Sequence, residues 1–250
     1  SATGQDKVRN GFGPLVGQFT TLPFNDVAAL ENAIDDSVAA IMLELIQGEG
    51  GVNAVTDEFA QAIQKICDEK GILLIVDEVQ TGIGRTGTRF AYEQTVLKPH
   101  IVSMAKGLGG GFPIGGILGV AELFNTFNAG THGTTFGGNP LAVAVAQTVV
   151  DIVFEPTFLA NVQQMSAYFI EQLQTHLPSS FSVQGKGLML GLYCGGEDVA
   201  PVVSKLDEAG LLTVAAGPKV IRLLPPLTVS KEEIDEAVAI LKNTLSVNFV

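Results

Sequence analysis

The chain is short of basic residues, cysteines and histidines, and each shortage closes off a class of function. Lysine and arginine together number 14 against 26 acids, for a formal net charge of −12. Nucleic acids and anionic membranes need a basic footprint, so neither is the expected partner. The two cysteines, Cys67 and Cys194, lie far apart in sequence and lack metal-ligand spacing. That excludes a disulfide framework and fits reduced, buried thiols in a cytoplasmic protein. His100, His132 and His176 show no ligand spacing either, so no metal site is expected. No apolar run is long and unbroken enough to span a bilayer. There is also no internal repeat and no low-complexity tract.

What is present is a globular composition. The 250 residues are 46% hydrophobic, enough for one large domain or two small ones with a real core. The 29 glycines cluster without a period, the pattern of tight turns and close backbone approaches.

Four apolar runs read as buried strands: "VAAIMLELI" (38–46), "ILLIVDEV" (72–79), "HIVSMA" (100–105) and "GGILGV" (115–120). Between the first two lies a helix with Phe59, Ile63, Ile66 and Cys67 at helical spacing, opened by Thr56 or Asp57 and closed by Gly71. Strands alternating with helices predict an α/β domain whose mostly parallel sheet is covered on both faces. A helix over 139–153 starts at Asn139-Pro140. Glu155 and Pro156 interrupt, and a second helix follows from about 157 to 176.

After Pro178 the texture changes. "FSVQGKGLMLGLYC" gives two strand pieces, "EDVAPVVSKLDEAG" a helix, "LLTVAAG" and "VIRLLPP" short strands, and "SKEEIDEAVAILKNTL" a final helix with Ser230 and Glu233 as a capping box. The expected division is a larger domain over 1–156 and a smaller α+β domain over 157–250.

Two motifs are decoys. "ILLIVDE" resembles a Walker B strand, but no G-x-x-x-x-G-K-[ST] accompanies it. "GIGRTG" (82–87) fits G-x-G-x-x-G literally, yet Asp77 to Thr81 separate it from its strand and no good helix follows. There is no G-x-S-x-G elbow. What remains are polar residues at strand ends: Glu44, Asp77, Gln80, Lys106 and Arg222. Ligands gather at the carboxyl ends of strands in open parallel sheets. Each residue alone reads equally as an ion pair or a solvated strand end. Together, Asp77 and Lys106 suit one chemistry. A lysine can form a Schiff base with pyridoxal phosphate, and an aspartate can hold the pyridine nitrogen protonated. The glycines after Lys106 would let the chain turn tightly and leave room for the ring.

"VDEVQTGIGRTG", "SMAKGLGGGFPIGG", "GTHGTTFGGNPLA" and "VIRLLPPL" occur in that order. In this the chain resembles the class III (subgroup II) pyridoxal-phosphate-dependent aminotransferases, which have the type I fold. "ELIQGEGGV" and "GLLTVAAGPKVIRLLPPL" are most similar to the branch acting on acetylornithine in arginine biosynthesis. Branches acting on succinylornithine, ornithine or 4-aminobutyrate stay open. The resemblance implies transfer of an amino group from N2-acetyl-L-ornithine to 2-oxoglutarate, giving glutamate, by a ping-pong mechanism. It implies pyridoxal 5'-phosphate on Lys106, Asp77 at the pyridine nitrogen and Gln80 near the phenolic oxygen. Thr135 would reach a phosphate across a homodimer interface. Arg222 would bind the substrate α-carboxylate, Glu49 would mask that arginine, and Glu44 would lie near the substrate.

Two departures stand out. Leu45 occupies the place of a proline that the family carries in its Glu-Pro-Ile-Gln segment. The family's phosphate cup and ring-stacking aromatic are not found in these residues. The chain is therefore expected to lack an N-terminal part of the family's pocket. Alone, it should bind the cofactor weakly and turn over little, as a catalytically silent fragment would.

Overall fold

The computed structural model describes residues 2–195 and 198–248. Two short helices, α1 (Asp6–Arg9) and α2 (Val27–Ala33), lead into β1 (Ala40–Glu44). The first apolar run is not one strand. It breaks at Leu45, which is buried in the core, and resumes as β2 (Ile46–Gln47). β2 turns back on β3 (Asn53–Ala54) as a small antiparallel pair. The next helix, α3 (Asp57–Lys70), has the predicted ends. The Thr56 hydroxyl accepts the Phe59 N–H, and Gly71 closes the helix at φ +65°. That conformation costs a glycine little and other residues more.

β4 (Leu73–Asp77), β5 (Ile101–Met104) and β6 (Gly116–Gly119) complete a sheet of order β1-β4-β5-β6. The first three strands are parallel and β6 is antiparallel. β6 corrects the expectation of a buried strand, because its residues are exposed, with Ile117 at 54% and Leu118 at 48%. It is an edge strand, bonded on one side only. His100 has a structural task. Its Nδ1 accepts the Leu74 N–H at 3.0 Å, between β4 and β5.

α4 (Pro140–Val153) is capped by the Asn139 side chain, which accepts the Ala142 N–H. Pro156 does not stand outside the next helix as expected but opens it, within α5 (Pro156–His176). The missing N–H costs nothing in a first turn, where donors are unpaired anyway. A second sheet follows from β7 (Ser182–Lys186), β8 (Met189–Tyr193), β9 (Val214–Ala215) and β10 (Val220–Leu223). It is antiparallel throughout, in the order β7-β8-β10-β9. α6 (Ala200–Glu208) and α7 (Lys231–Asn248) cover it. Glu197, where the α6 reading began, lies outside the described residues. The α7 capping box forms both ways: Glu233 accepts the Ser230 N–H at 2.8 Å, and Ser230 accepts the Glu233 N–H at 3.2 Å.

The apolar side chains segregate accordingly. Val162, Phe169, Leu188, Ile221 and Leu241 belong to a core between α5, the second sheet, α6 and α7. Leu30, Ile63, Leu74 and Val76 fill the space between the first sheet and α3. Ile83, Phe90, Met104 and Val153 belong to a further cluster on the same face, since its Val102 pairs with Val76. The opposite face carries Met42 and Ile117, both more than half exposed, which corrects the expectation of a sheet covered on both faces. A fourth cluster, Ile46, Val52, Met189, Ala216 and Val220, joins the β2–β3 pair to the second sheet. Among the described residues no single helix is long and apolar enough to cross a membrane.

Candidate active site

The parallel register lines up one row of polar residues at the carboxyl edge of the first sheet. Glu44 pairs with Asp77, and Asp77 pairs with Ser103. Strands ending together deliver their last side chains to one place, which is why open parallel sheets carry ligand sites there. The Asp77 carboxylate is fixed by the Val79 N–H at 2.9 Å. Past Ser103 the chain leaves β5 and reaches Lys106, which adopts φ +42° and opens a single 3-10 turn. Lys106 is exposed, and no ion pair ties it down among the described residues. Among the described residues the buried Ser103 hydroxyl has no hydrogen-bond partner.

Glu44 accepts the Gly48 N–H at 3.4 Å. Its carboxyl is pushed above the ordinary range, first by burial and further by the negative charges of Asp77 and Glu49. The Gly48 N–H and the Lys106 ammonium oppose that push. Asp77, Glu49 and Lys106 thus all lie close enough to Glu44 to act on it.

The glycines beside Lys106 make the expected tight turn, but they do not leave open room beside it. A Cβ on Gly107 would come within 3.3 Å of Ile83, one on Gly109 within 2.9 Å of Ile114, and one on Gly110 within 3.0 Å of Val149. The space is filled by the protein's own side chains. Glycine is needed for close packing and, at Gly110 (φ +54°), for a left-handed turn.

Arg222 arrives from the other sheet. It lies on β10 opposite Gly191 of β8 and is buried. Its Nη1 donates to the Gly48 carbonyl, to Glu49 Oε1 at 2.6 Å and to Gln80 Oε1 at 3.4 Å, while Nε is buried without a partner. Gly48 has no room for a side chain, since a Cβ there would overlap the Gln80 amide. The loop carrying Glu49 ends at Val52, which is fully buried at φ +56° with its N–H on the Gln47 carbonyl. A β-branched residue in the left-handed region is strained and persists only where its surroundings hold it. Here Val52 is wedged against Gly185 and Gly191 of the second sheet. That wedge keeps the Glu49 loop against the strand that bears Arg222.

Glu44, Glu49, Asp77, Gln80, Lys106 and Arg222 therefore gather at one edge. Thr135 does not join them. It is exposed on the loop before α4, with no hydrogen bond to the other six. Phe136 and Leu141 beside it are 80% and 62% exposed.

Sequence reasoning passed over two residues. Glu78 is buried and accepts the Thr81 hydroxyl and, at 2.9 Å, the Tyr92 N–H. Burial raises its carboxyl above the ordinary range. Its signal was parity, because the residue after Asp77 on an extended strand must point to the other face. Arg85 lies in the "GIGRTG" loop, and its Nη1 donates to the carbonyls of Leu188 at 3.1 Å and Pro225 at 2.6 Å. No local pattern reveals those partners, which come from the far half of the chain. The motif that mimics a dinucleotide loop is a joint between the two halves.

Comparison with known proteins identifies the family. The family model described as Aminotransferase class-III matches residues 1–245. An acetylornithine aminotransferase of Bacillus subtilis is 52% identical over 249 residues, covering 98% of this chain and 64% of that protein. The chain thus spans a little under two thirds of this curated relative. Among solved structures, an N-acetylornithine aminotransferase from Stenotrophomonas maltophilia is similar at 37% identity, with a TM-score of 0.83, covering 92% of this chain and 62% of that one. An ornithine aminotransferase from Toxoplasma gondii, whose active site is described as partially occupied by PLP, is similar at 34% identity. Its TM-score is 0.91, over 99% of this chain and 60% of that one.

Proposed function

The chain belongs to the class III aminotransferases, and from that premise we propose that the protein carrying it moves an amino group from N2-acetyl-L-ornithine to 2-oxoglutarate. The products are the corresponding acetylated semialdehyde and glutamate. One observation carries the reading: Asp77 ends β4, Lys106 follows the end of the neighbouring parallel strand β5, and Arg222 reaches the same edge from the second sheet. The choice of donor draws on the relatives' names. The geometry itself supports a substrate with an amine and a carboxylate.

The residues fit pyridoxal phosphate by the chemistry of the donor set. Lys106 supplies a free amine for the aldehyde carbon, Asp77 a carboxylate for the pyridine nitrogen, and Gln80 an amide for the phenolic oxygen. The unpartnered Ser103 hydroxyl beside Asp77 adds a polar group with capacity to spare. When bound, the cofactor supplies an electron sink for negative charge at the substrate carbon that bears nitrogen. Lys106, once its amine is free, takes the proton from that carbon and returns it on the other side of the transfer. Arg222 orients the substrate through its carboxylate, a task that suits a guanidinium fork. Glu49 occupies that arginine until a carboxylate displaces it. Glu44, whose carboxyl burial raises above the ordinary range, lies near the amine end of the substrate.

Thr135 belongs in this scheme to a homodimer, where it reaches the neighbouring site's phosphate. The exposed Phe136 and Leu141 beside it supply an apolar surface for such an interface. The two half-reactions share one site, so the aldehyde product leaves before the 2-oxo acid binds and kinetics are ping-pong.

The test is the intact mass of the protein after borohydride reduction with pyridoxal phosphate, beside Lys106→Ala. A cofactor-sized addition that depends on Lys106 is expected. Its absence from the full-length protein overturns the reading, whereas addition without turnover marks a binding-competent but silent chain. Parallel assays with acetylornithine, succinylornithine, ornithine and 4-aminobutyrate then separate the donors, and a sequential kinetic pattern would rule out the shared-site scheme.

A further inference from the structure

The "GIGRTG" loop touches both halves of the site at once. Ile83 packs on Gly107, next to Lys106, and Gly84 at φ +81° sits where a Cβ would strike Val153, with Leu159 and Leu227 also within reach. Arg85 then crosses to the second sheet. Its guanidinium donates to the carbonyls of Leu188 and Pro225, and its own carbonyl accepts the Leu188 N–H at 2.9 Å. Leu188 immediately precedes β8, and Pro225 follows β10. In the β8–β10 ladder Leu190 faces Leu223 and Gly191 faces Arg222. The two acceptors are therefore the open ends of the two strands that hold Arg222, at the end where Arg222 sits.

From this geometry we infer that Arg85 is a positioning residue that sets where Arg222 stands relative to Lys106, and so tunes recognition of the substrate carboxylate. The inference rests on the active-site reading above.

Arg85 has no carboxylate partner among the described residues. Its cation is spent on two neutral carbonyls in a largely buried place, where desolvation lowers it to about 10. It stays charged at neutral pH. Hydrogen bonds from a charged donor are the strong ones, and a buried donor left unpaired is costly. The surroundings leave little slack. Gly187 at φ +61° lies so close that a Cβ would come within 2.4 Å of the Thr86 backbone. Gln163 donates to the Gly87 carbonyl at 2.7 Å, and Ser166 to the Gly187 carbonyl at 2.6 Å. A rigid loop bonded to the strand ends transmits the position of one sheet edge to the other. A residue that merely held the halves together would affect every substrate alike, whereas a residue that places Arg222 affects those with a carboxylate to bind.

The experiment uses the full-length protein loaded with pyridoxal phosphate and compares Arg85→Met, Arg85→Lys and Arg222→Met. For each, KM and kcat are measured with the carboxylate-bearing donor and with its decarboxylated analogue, and glutarate binding is followed by calorimetry. Arg85→Met is expected to raise KM for the carboxylate donor and weaken glutarate on the order of tenfold, the effect of losing about one charged hydrogen bond. KM for the decarboxylated analogue should stay within about twofold. Arg85→Lys, which keeps a cation and a donor, is expected to fall between. If Arg222→Met weakens carboxylate recognition and Arg85→Met does not, or if Arg85→Met impairs both donors equally, the inference is overturned. If Arg222→Met itself changes nothing, the active-site assignment fails instead. Should Arg85→Met not fold, Arg85→Lys carries the test, and wild-type KM and glutarate affinity in it overturn the inference.

Discussion

Arg222 Nη1 stands 2.6 Å from Glu49 Oε1, although one residue is buried on the second sheet and the other is 53% exposed on the loop between β2 and β3. A buried cation is thus met by a carboxylate with one side open to water, which a competing carboxylate can displace. The half-exposed partner makes this a pair of modest worth, about 0–1 kcal/mol in surface measurements. Arg222 also donates to the Gly48 carbonyl.

Glu49→Gln should therefore change stability by less than about 1 kcal/mol. It should also lower KM for 2-oxoglutarate by about fivefold, since the incoming carboxylate no longer has a charged competitor. Steady-state kinetics with the acceptor varied, alongside urea denaturation, check both parts. An unchanged or raised acceptor KM would show that Glu49 does not compete for Arg222.

Glu44 gives a pH dependence of definite sign. Burial raises its folded pKa above the ordinary 4.5, and Glu78 is raised for the same reason. Between the ordinary value and the raised one, the native state binds more protons than the unfolded state. Stability contributed below that window is lost as pH rises through the folded pKa values. Glu44→Gln removes its share and flattens the profile, as seen by urea midpoints measured from about pH 4 to 8. A steeper profile in the variant would contradict the assignment.

Two glycines in left-handed conformations should respond differently to alanine. Gly71, at φ +65°, has nothing within 4 Å of an added Cβ, whereas Gly187, at φ +61°, would meet the Thr86 and Arg85 backbones within about 2.5 Å. Gly71→Ala should cost about 1 kcal/mol, the strain of the conformation alone. Gly187→Ala should cost more than about 2 kcal/mol and weaken substrate affinity, because the joint must open. Equal losses in chemical denaturation would mean that the contact is not tight.

The α7 cap is a test remote from the site. Ser230→Ala removes the acceptor for the Glu233 N–H and should destabilise by about 1 kcal/mol. KM for both substrates should not move.

Much of the scaffold was legible because its causes are local. Thr56 and Gly71 bound α3, Asn139 caps α4, and Ser230 with Glu233 cap α7, each through neighbours within a few residues. The apolar runs ending at Asp77 and just before Lys106 form strands as expected, but only alternate residues in them are buried, because cover on the second face is set by packing and not by composition. Where causes are not local, sequence is a poor guide. The apolar composition of β6 suggests burial, but an edge position depends on which strands pair. The glycines after Lys106 suggest open room, but their neighbours Ile83, Ile114 and Val149 are set by packing.

The sequence by itself determined the elements, the polar residues at their ends and the kind of chemistry those residues suit. Hydrophobic periodicity, caps and residue type act over a few positions. Only the tertiary structure decided that Glu44, Asp77 and Ser103 share one row, that Arg222 meets Glu49 from the opposite sheet, and that Arg85 closes the ends of β8 and β10. Those relations join residues far apart in the chain. They depend on strand register and on the burial of Val52 between the β2–β3 pair and the second sheet, which no local pattern encodes.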